Sequence, residues 1–389
     1  MTPSIHNKSL NHVTTYVTLP ARRGAKEAKR AEIVKAVNSC TKTPLSAQAV
    51  NALVGRASSA APAQSKIVKG GGLQRALLCT PETSFALMTR NKTKKDKKLG
   101  AGSFKTAKLA IDLKTGEKDV VAVCRRSKCS DEHWKSLEGE VAAMEALRGK
   151  EGIVQLYAHS KYNDRKHGEK MYLVMEYCDR GELFDTLVDK HHPIHGDFKQ
   201  QLQIALDCAR GLKVMHDNNL LHRDLKPENI FLFTGPDGKL HAKIGDLGFA
   251  CGANDRDQLK TLCGTVLWFS PEKAALTAEA LADNPVTEDE WIAVSTPKTD
   301  IWALGSIFHA LFSPDASLTY CQNGSNNFHV SVNISYAIQG ILSKGIQRVG
   351  MDPSVIPLVE QMLSVKPNER PTITEVCDYL EELAKSVGL

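Results

Sequence analysis

His222-Arg223-Asp224-Leu225-Lys226-Pro227-Glu228-Asn229, followed by Asp246-Leu247-Gly248, sets two carboxylates, an amide and a cation within a short stretch of chain. That combination suits phosphoryl transfer, a reaction that asks for positioning and charge stabilisation more than for covalent chemistry. One acid can accept a hydroxyl proton, while the other acid and the amide offer hard oxygen donors to Mg²⁺. Around this stretch lie Leu220-Leu221 on one side and the strand-like run Leu240 to Ile244 on the other.

The order H-R-D-x-K-x-x-N and then D-x-G resembles the catalytic and metal-binding loops of eukaryotic-type protein kinases. The resemblance implies an α+β, bilobal protein kinase fold, with a small antiparallel-sheet N-lobe holding one helix and a larger, mainly helical C-lobe. It implies ATP and Mg²⁺ as cofactors and Ser or Thr hydroxyls of protein substrates as acceptors. Asp224 is then the base, Lys226 the stabiliser of charge on the transferring group, and Asn229 and Asp246 the metal ligands. Leu99-Gly100-Ala101-Gly102-Ser103-Phe104-Lys105-Thr106-Ala107 resembles the glycine-rich loop, in which Gly100 and Gly102 let backbone amides approach phosphates. Lys105 stands where the family usually has a third glycine. Ala107 and Ala122 line the adenine pocket by this resemblance, Met175 is the gatekeeper, and backbone groups near Glu176 and Cys178 bond the adenine edge. Strand core explains Met175 equally. Glu182 is a candidate contact for ribose or a basic substrate side chain, or simply a helix-start carboxylate. Thr261, in Thr261-Leu262-Cys263-Gly264-Thr265, is the expected phosphorylation site, and Arg223 the partner for its phosphate. Glu272 is expected to pair with Arg370, and Asp300 to anchor the catalytic loop.

One departure stands out. Most of the family carries lysine after the strand Val121-Ala122-Val123, and this chain has Cys124. A thiol supplies no cation. The side-chain period of two puts Ala122 and Cys124 on one strand face, and Lys105 and Ala107 on one face of the preceding strand. Exchange of this lysine for cysteine resembles the with-no-lysine (WNK) kinases, whose lysine comes from the second strand within a matching Gly102-Ser103-Phe104-Lys105-Thr106 segment. Lys105 is therefore a candidate catalytic cation, with Arg126 or no replacement as the alternatives. Glu140 is the candidate partner of that cation, with Glu138 and Glu145 as alternatives on the same helix. Leu247 is shared with the with-no-lysine kinases, in which chloride binds near this turn; Phe249 departs from their pattern.

The elements that must hold these groups follow from periodicity. Val120 to Val123 and Tyr172 to Met175 read as strands. Trp134, Leu137, Val141, Met144 and Leu147 recur at helical spacing and predict a helix over 132–148. Beyond Gly181 the pattern is helical at 200–216, 299–312, 355–363 and 373–386. The interval between Glu272 and Asp300 exceeds the family's usual length, and its acidic part, Glu279 to Glu290, is a candidate extra helix or partner site. Residues 26–39 and 46–56 predict short helices and Ala57 to Gly72 a linker. The organisation expected is a basic, partly disordered N-terminal extension at 1–87, an N-lobe at 88–178 and a C-lobe at 179–389.

The net charge of +6 is unevenly spread. Residues 1–98 carry 18 Lys or Arg against 4 Asp or Glu, and residues 99–389 carry 32 against 40. The extension is thus a candidate to dock an anionic partner or surface, or a solvated segment. The Lys92 to Lys98 cluster lacks interleaved aromatics, which counts against nucleic acid. Ten scattered cysteines without paired spacing argue against zinc and a disulfide framework. No membrane span or secretory core is evident, which makes a cytoplasmic location the expectation. Two other function classes compete: a pseudokinase that binds nucleotide without turnover, and a scaffold acting through residues 1–87.

Overall fold

The computed structural model describes residues 16–17, 29–40, 44–60, 66–68, 76–79, 84–87, 100–101, 105–164, 168–313 and 350–389. Gly102, the Lys92–Lys98 cluster and most of residues 1–25 lie outside them. The chain divides into two compact units, one of residues 1–135 and 156–177, the other of residues 136–155 and 178–389.

The first unit is built on a nine-stranded sheet. Its central strands are β6 (Lys105–Asp112), β7 (Lys118–Arg125), β8 (Leu156–Asp164) and β9 (Gly168–Glu176), in the order β8-β9-β7-β6 and all antiparallel. The short strands β2 (Lys66–Val68), β3 (Ala76–Cys79) and β4 (Ser84–Leu87) continue the sheet beyond β6. At its other edge β1 (Tyr16–Val17) pairs with β8, and β5 (Gly100–Ala101) pairs with the start of β6. One sheet face buries Leu78, Ala110, Val121, Tyr172 and Val174 together. Such alternation follows from β-branched and apolar residues at every second position.

Two helices of the N-terminal extension belong to this unit. In α1 (Arg30–Ser39), Ile33 and Val37 are one turn apart and fully covered; in α2 (Ala47–Ala60), Val50 and Leu53 are likewise buried. The four pack with Ile111 and Leu113 at the end of β6. Asn38 closes the turn between the helices: its Nδ2 donates to the Leu45 carbonyl at 3.0 Å and its Oδ1 accepts from the Leu45 amide at 2.8 Å. Within the linker expected over Ala57 to Gly72, α2 continues to Ala60 and Lys66–Val68 is a strand, and the other residues lie outside those described. Its small residues are compatible with helix as well as with linker, and alanine is the best helix former.

Helix α3 (Asp131–Ala146) matches the one expected over 132–148. In the second unit, β10 (Gly181–Glu182) leads into α4 (Leu183–Val188), and the 20-residue α5 (Phe198–Asp217) starts at Asp197, whose carboxylate caps the Gln200 amide at 3.0 Å. Then come β11 (Leu220–Leu221), the hairpin β12 (Ile230–Thr234) and β13 (Leu240–Ile244), β14 (Cys251–Gly252), and helices α6 (Arg256–Leu259), α7 (Pro271–Leu281), α8 (Glu288–Val294), α9 (Pro297–Phe312), α10 (Ile356–Met362) and α11 (Ile373–Ser386). The acidic stretch Glu279 to Glu290 is therefore the end of α7, a turn through Asp283 with φ 57°, and the start of α8. Gly152 and Gly211 meet backbone to backbone: a Cβ on Gly211 would lie 2.6 Å from the Gly152 carbonyl oxygen. That closeness lets residues 152–154 bond both backbone groups of Ile244, at the mouth of the hairpin. Among the described residues no helix is long and apolar enough to cross a membrane.

Candidate active site

The candidate catalytic loop, residues 222–229, is tied down at its start by Asp300. Asp300, buried near the start of α9, accepts the backbone amides of His222 and Arg223, both at 2.9 Å, and the Nε2–H of His216 at 3.0 Å. Burial alone pushes the Asp300 carboxyl up, but the His216 hydrogen bond, the attraction of His216 and His222 and the His222 amide outweigh it and hold the group below the usual carboxylate range. Four donated or attracting groups make the carboxylate a fixed acceptor. The loop also carries strain, with Arg223 in the left-handed region at φ 67°. Gly264 approaches it so closely that a Cβ there would stand 2.5 Å from the Arg223 carbonyl oxygen, and its φ of 97° suits glycine alone.

Asp224 is 7% exposed and sits at the centre of a closed network. Its Oδ1 accepts the Thr265 hydroxyl at 2.7 Å, and that hydroxyl accepts from Lys226 Nζ at 2.8 Å. Lys226 Nζ also lies 3.2 Å from Asp224 Oδ2. Asn229 Nδ2 donates to the Asp224 carbonyl at 2.8 Å and to Oδ2 at 3.2 Å. Asp224, Lys226 and Asn229 are thus held together by hydrogen bonds that would keep their rotamers fixed. Thr265 was not singled out as a site residue from the sequence. Its signal was a hydroxyl in Gly264-Thr265, just ahead of Ser270-Pro271-Glu272, but 41 residues of chain separate it from Asp224.

Asp246 follows Gly245, whose amide donates to the Asn229 carbonyl at 2.9 Å, so both proposed metal ligands stand at the open end of the β12–β13 hairpin. Asp246 has φ 53° and is exposed, while Leu247 beside it is fully buried. Because the Asn229 nitrogen is spent on Asp224, the amide has its oxygen left to offer. One carboxylate plus one amide oxygen fits Mg²⁺, which takes much of its shell from phosphates and water. No cluster of three or more metal-type side chains occurs among the described residues. The Ser136 hydroxyl on α3 donates to the Gly248 carbonyl, tying this helix to the turn. Glu140 lies one turn further on the same helix face and is 3% exposed. Of its alternatives, Glu138 is exposed and Glu145 lies 3.5 Å from Arg148.

Arg223 reaches the segment beyond α6. Its Nη2 donates to the Thr261 carbonyl at 2.5 Å and its Nη1 to Cys251 Sγ at 3.3 Å, while its Nε meets no acceptor among the described residues. Thr261 is exposed. At the start of α4, burial and then Asp185 and Glu228 push the Glu182 carboxyl up. Cys178 is buried. Arg370, buried beneath α7, donates to both Glu272 oxygens at 2.8 and 2.7 Å and to the Lys298 and Ser364 carbonyls, the pairing expected from the sequence.

In the first unit the proposed nucleotide residues fall in rows across the sheet. Gly100, Ala107, Ala122 and Leu173 are successive cross-strand partners; so are Lys105, Cys124 and Met171, and so are Leu109, Val120 and Met175. Direct partners project to the same side, so Lys105, Ala107, Ala122, Cys124 and Met175 share one face. Glu176 closes β9 opposite Asp119. Arg126, the alternative cation two residues after Cys124, would share its face only if the strand ran on, but β7 ends at Arg125 and Arg126 opens a 3₁₀ turn. Its guanidinium pairs with Asp131, donates to the Cys129 carbonyl at 3.0 Å and lies over the Trp134 ring.

Comparison with known proteins agrees with this fold. A family model described as the protein kinase domain matches residues 93–380, and the chain belongs to that family. It is 30% identical over 280 residues to the SNF1-related protein kinase catalytic subunit alpha KIN12 of Arabidopsis thaliana, covering 72% of this chain and 49% of that one. It is 28% identical over 290 residues to the human serine/threonine-protein kinase Nek5, covering 74% and 36% respectively. The probable serine/threonine-protein kinase fhkD of Dictyostelium discoideum is 26% identical over 286 residues, 70% of this chain and 34% of that one. The chain spans half or less of the length of these relatives.

Proposed function

We propose that this protein transfers the γ-phosphoryl group of ATP to Ser or Thr hydroxyls of protein substrates. The observation that carries the reading is the closed Asp224–Thr265–Lys226 network, with Asn229 bonded to the same aspartate. Asp224 orients the acceptor hydroxyl and takes its proton. Lys226 holds positive charge where negative charge grows on the transferring group. Asn229 and Asp246 would hold Mg²⁺, which when bound neutralises phosphate charge. Gly100, Ala107, Ala122, Met175, Glu176 and Cys178 would receive the nucleotide, together with Gly102, which lies outside the described residues.

In this reading Lys105 replaces the strand lysine, with Glu140 as its partner, a with-no-lysine arrangement. It is supported by the direct Lys105–Cys124 pairing, by the full burial of the small thiol, and by the commitment of Arg126 to Asp131 and Trp134. Phosphate on Thr261 would use the Arg223 guanidinium, whose Nε has no acceptor among the described residues. The carboxylates Glu182, Asp185 and Glu228 favour a basic side chain on the substrate. The basic extension is assigned to docking an anionic partner, with Lys29, Arg30 and Lys35 exposed on and beside α1.

Cys124 favours a second reading, nucleotide binding without turnover. The deciding experiment is Mg²⁺-dependent transfer from labelled ATP to the protein itself and to a generic basic protein. Transfer abolished by Asp224→Asn supports the kinase. Nucleotide binding with no transfer, in folded protein phosphorylated on Thr261, supports the pseudokinase; function in cells that survives Asp224→Asn supports a scaffold.

A further inference from the structure

The interval between Glu272 and Asp300 contains a helix, α8, that holds on to a neighbouring segment. Helix α8 has its own start signal: the Thr287 hydroxyl accepts from the Glu290 amide at 3.3 Å, and the Glu290 carboxylate accepts from the Thr287 amide at 2.8 Å. With Glu290 engaged in the cap, its two acidic neighbours turn to α6 and the residue after it. Asp289 Oδ1 lies 2.5 Å from Arg256 Nη2, and Glu288 Oε1 lies 3.2 Å from Lys260 Nζ. Further along, Ile292 packs on the buried cluster of Leu221, Cys251 and Leu259. Just past the helix, the buried Ser295 hydroxyl donates to the Leu259 carbonyl at 3.1 Å.

What α8 grips is a critical stretch of chain. Leu259 ends α6 and stands two residues before Thr261, whose carbonyl is bonded to Arg223. Leu221 directly precedes His222 and is paired with Cys251 across the β11–β14 ladder. The cluster on which Ile292 sits therefore joins the root of the catalytic loop to the segment carrying Thr261. The ion pairs are exposed and weak on their own, so they orient α8 while the Ile292 contact and the Ser295 bond anchor it. A loop of this kind ordinarily loses conformational freedom at a cost that phosphate-mediated bonds repay. Here contacts from within the same chain already do part of that work.

We propose that α8 is a brace that positions the segment 256–262 for transfer before Thr261 is phosphorylated, with Ile292 and Ser295 as its positioning residues. The inference rests on the phosphoryl-transfer reading above. In the full chain it is tested by hydrogen exchange of amides 256–262 and by kcat and KM of the phosphatase-treated and Thr261-phosphorylated forms. In Ile292→Ser/Ser295→Ala, exchange across 256–262 rises. The kcat of the unphosphorylated form falls about tenfold, a coupling of the size that contacting residues show. KM for ATP stays unchanged, and the phosphorylated form loses much less. The surface variant Asp289→Arg raises exchange at low salt, and adding Arg256→Asp brings it back. Unchanged exchange in both variants, or an equal loss of kcat in the two phosphorylation states, would overturn the proposal. A wild type that transfers no phosphate sinks the kinase reading and the catalytic half of the inference. The exchange data would then still report whether α8 holds the segment.

Discussion

Lys105 and Cys124 are direct antiparallel partners on β6 and β7, with Met171 completing the row on β9. A side chain on one member of such a pair reaches the space over the other, since their Cβ atoms are about 4.5–5.5 Å apart. A buried cysteine there leaves room that a longer residue would fill. Lys105→Ala is expected to lower kcat/KM for phosphate transfer by about 10²–10³, the loss typical of removing one group that stabilises developing charge. Arg126→Ala, read in the same assay, is expected to change it by less than threefold, because that guanidinium serves the start of α3. A reversed order of the two effects would end the Lys105 assignment.

Thr265 links Lys226 to Asp224 through one hydroxyl. Thr265→Val keeps the shape and removes both bonds, leaving Lys226 and Asp224 to find other geometries. Steady-state kinetics should show kcat reduced by about tenfold, roughly the 1.4 kcal/mol of a lost hydrogen bond to a charged group, with KM for ATP little altered. Thr265→Ser, which restores the hydroxyl, should recover most of the rate.

The Arg370 side chain is fully buried and forms a two-point pair with Glu272. Deleting one partner strands the other charge. Glu272→Gln and Arg370→Met are each expected to cost about 3–5 kcal/mol of stability by denaturant unfolding. Arg370→Lys should also destabilise, because an ammonium cannot donate in parallel to both carboxylate oxygens and still reach the Lys298 and Ser364 carbonyls.

Asp300 links stability to pH. Its folded-state pKa lies below its unfolded one, so its contribution is present above the unfolded value, near 4, and lost as pH falls through the folded value. Acid unfolding followed by circular dichroism should therefore include a component below about pH 4 that disappears in Asp300→Asn. The variant should also lose phosphate transfer at neutral pH, because the amides of His222 and Arg223 lose their charged acceptor.

Gly211→Ala tests the close approach of α5 to residues 152–154. Its new methyl group would press on the Gly152 carbonyl, where no side chain can move aside. Thermal unfolding is expected to show a loss of about 1–3 kcal/mol.

Much of this molecule is local in sequence and could be read there. The helices at 198–217, 297–312 and 373–386 declare themselves because an apolar stripe of period 3.6 needs no knowledge of its partner. The candidate catalytic loop and the Asp246 turn are short strings whose residue types already suggest the chemistry proposed for them. Even the Lys105–Cys124 row could be anticipated, because a side-chain period of two and a hairpin-like register leave few choices. Arg126 misled because the strand ends one residue before it, and periodicity does not mark where a strand stops. The tertiary structure alone decided the rest: Thr265 on Asp224, α1 and α2 on the end of β6, and α8 on Leu259. Each joins segments far apart in the chain through one or two side chains. Such contacts leave no periodic trace; they exist only once folding has brought distant backbone into hydrogen-bonding reach.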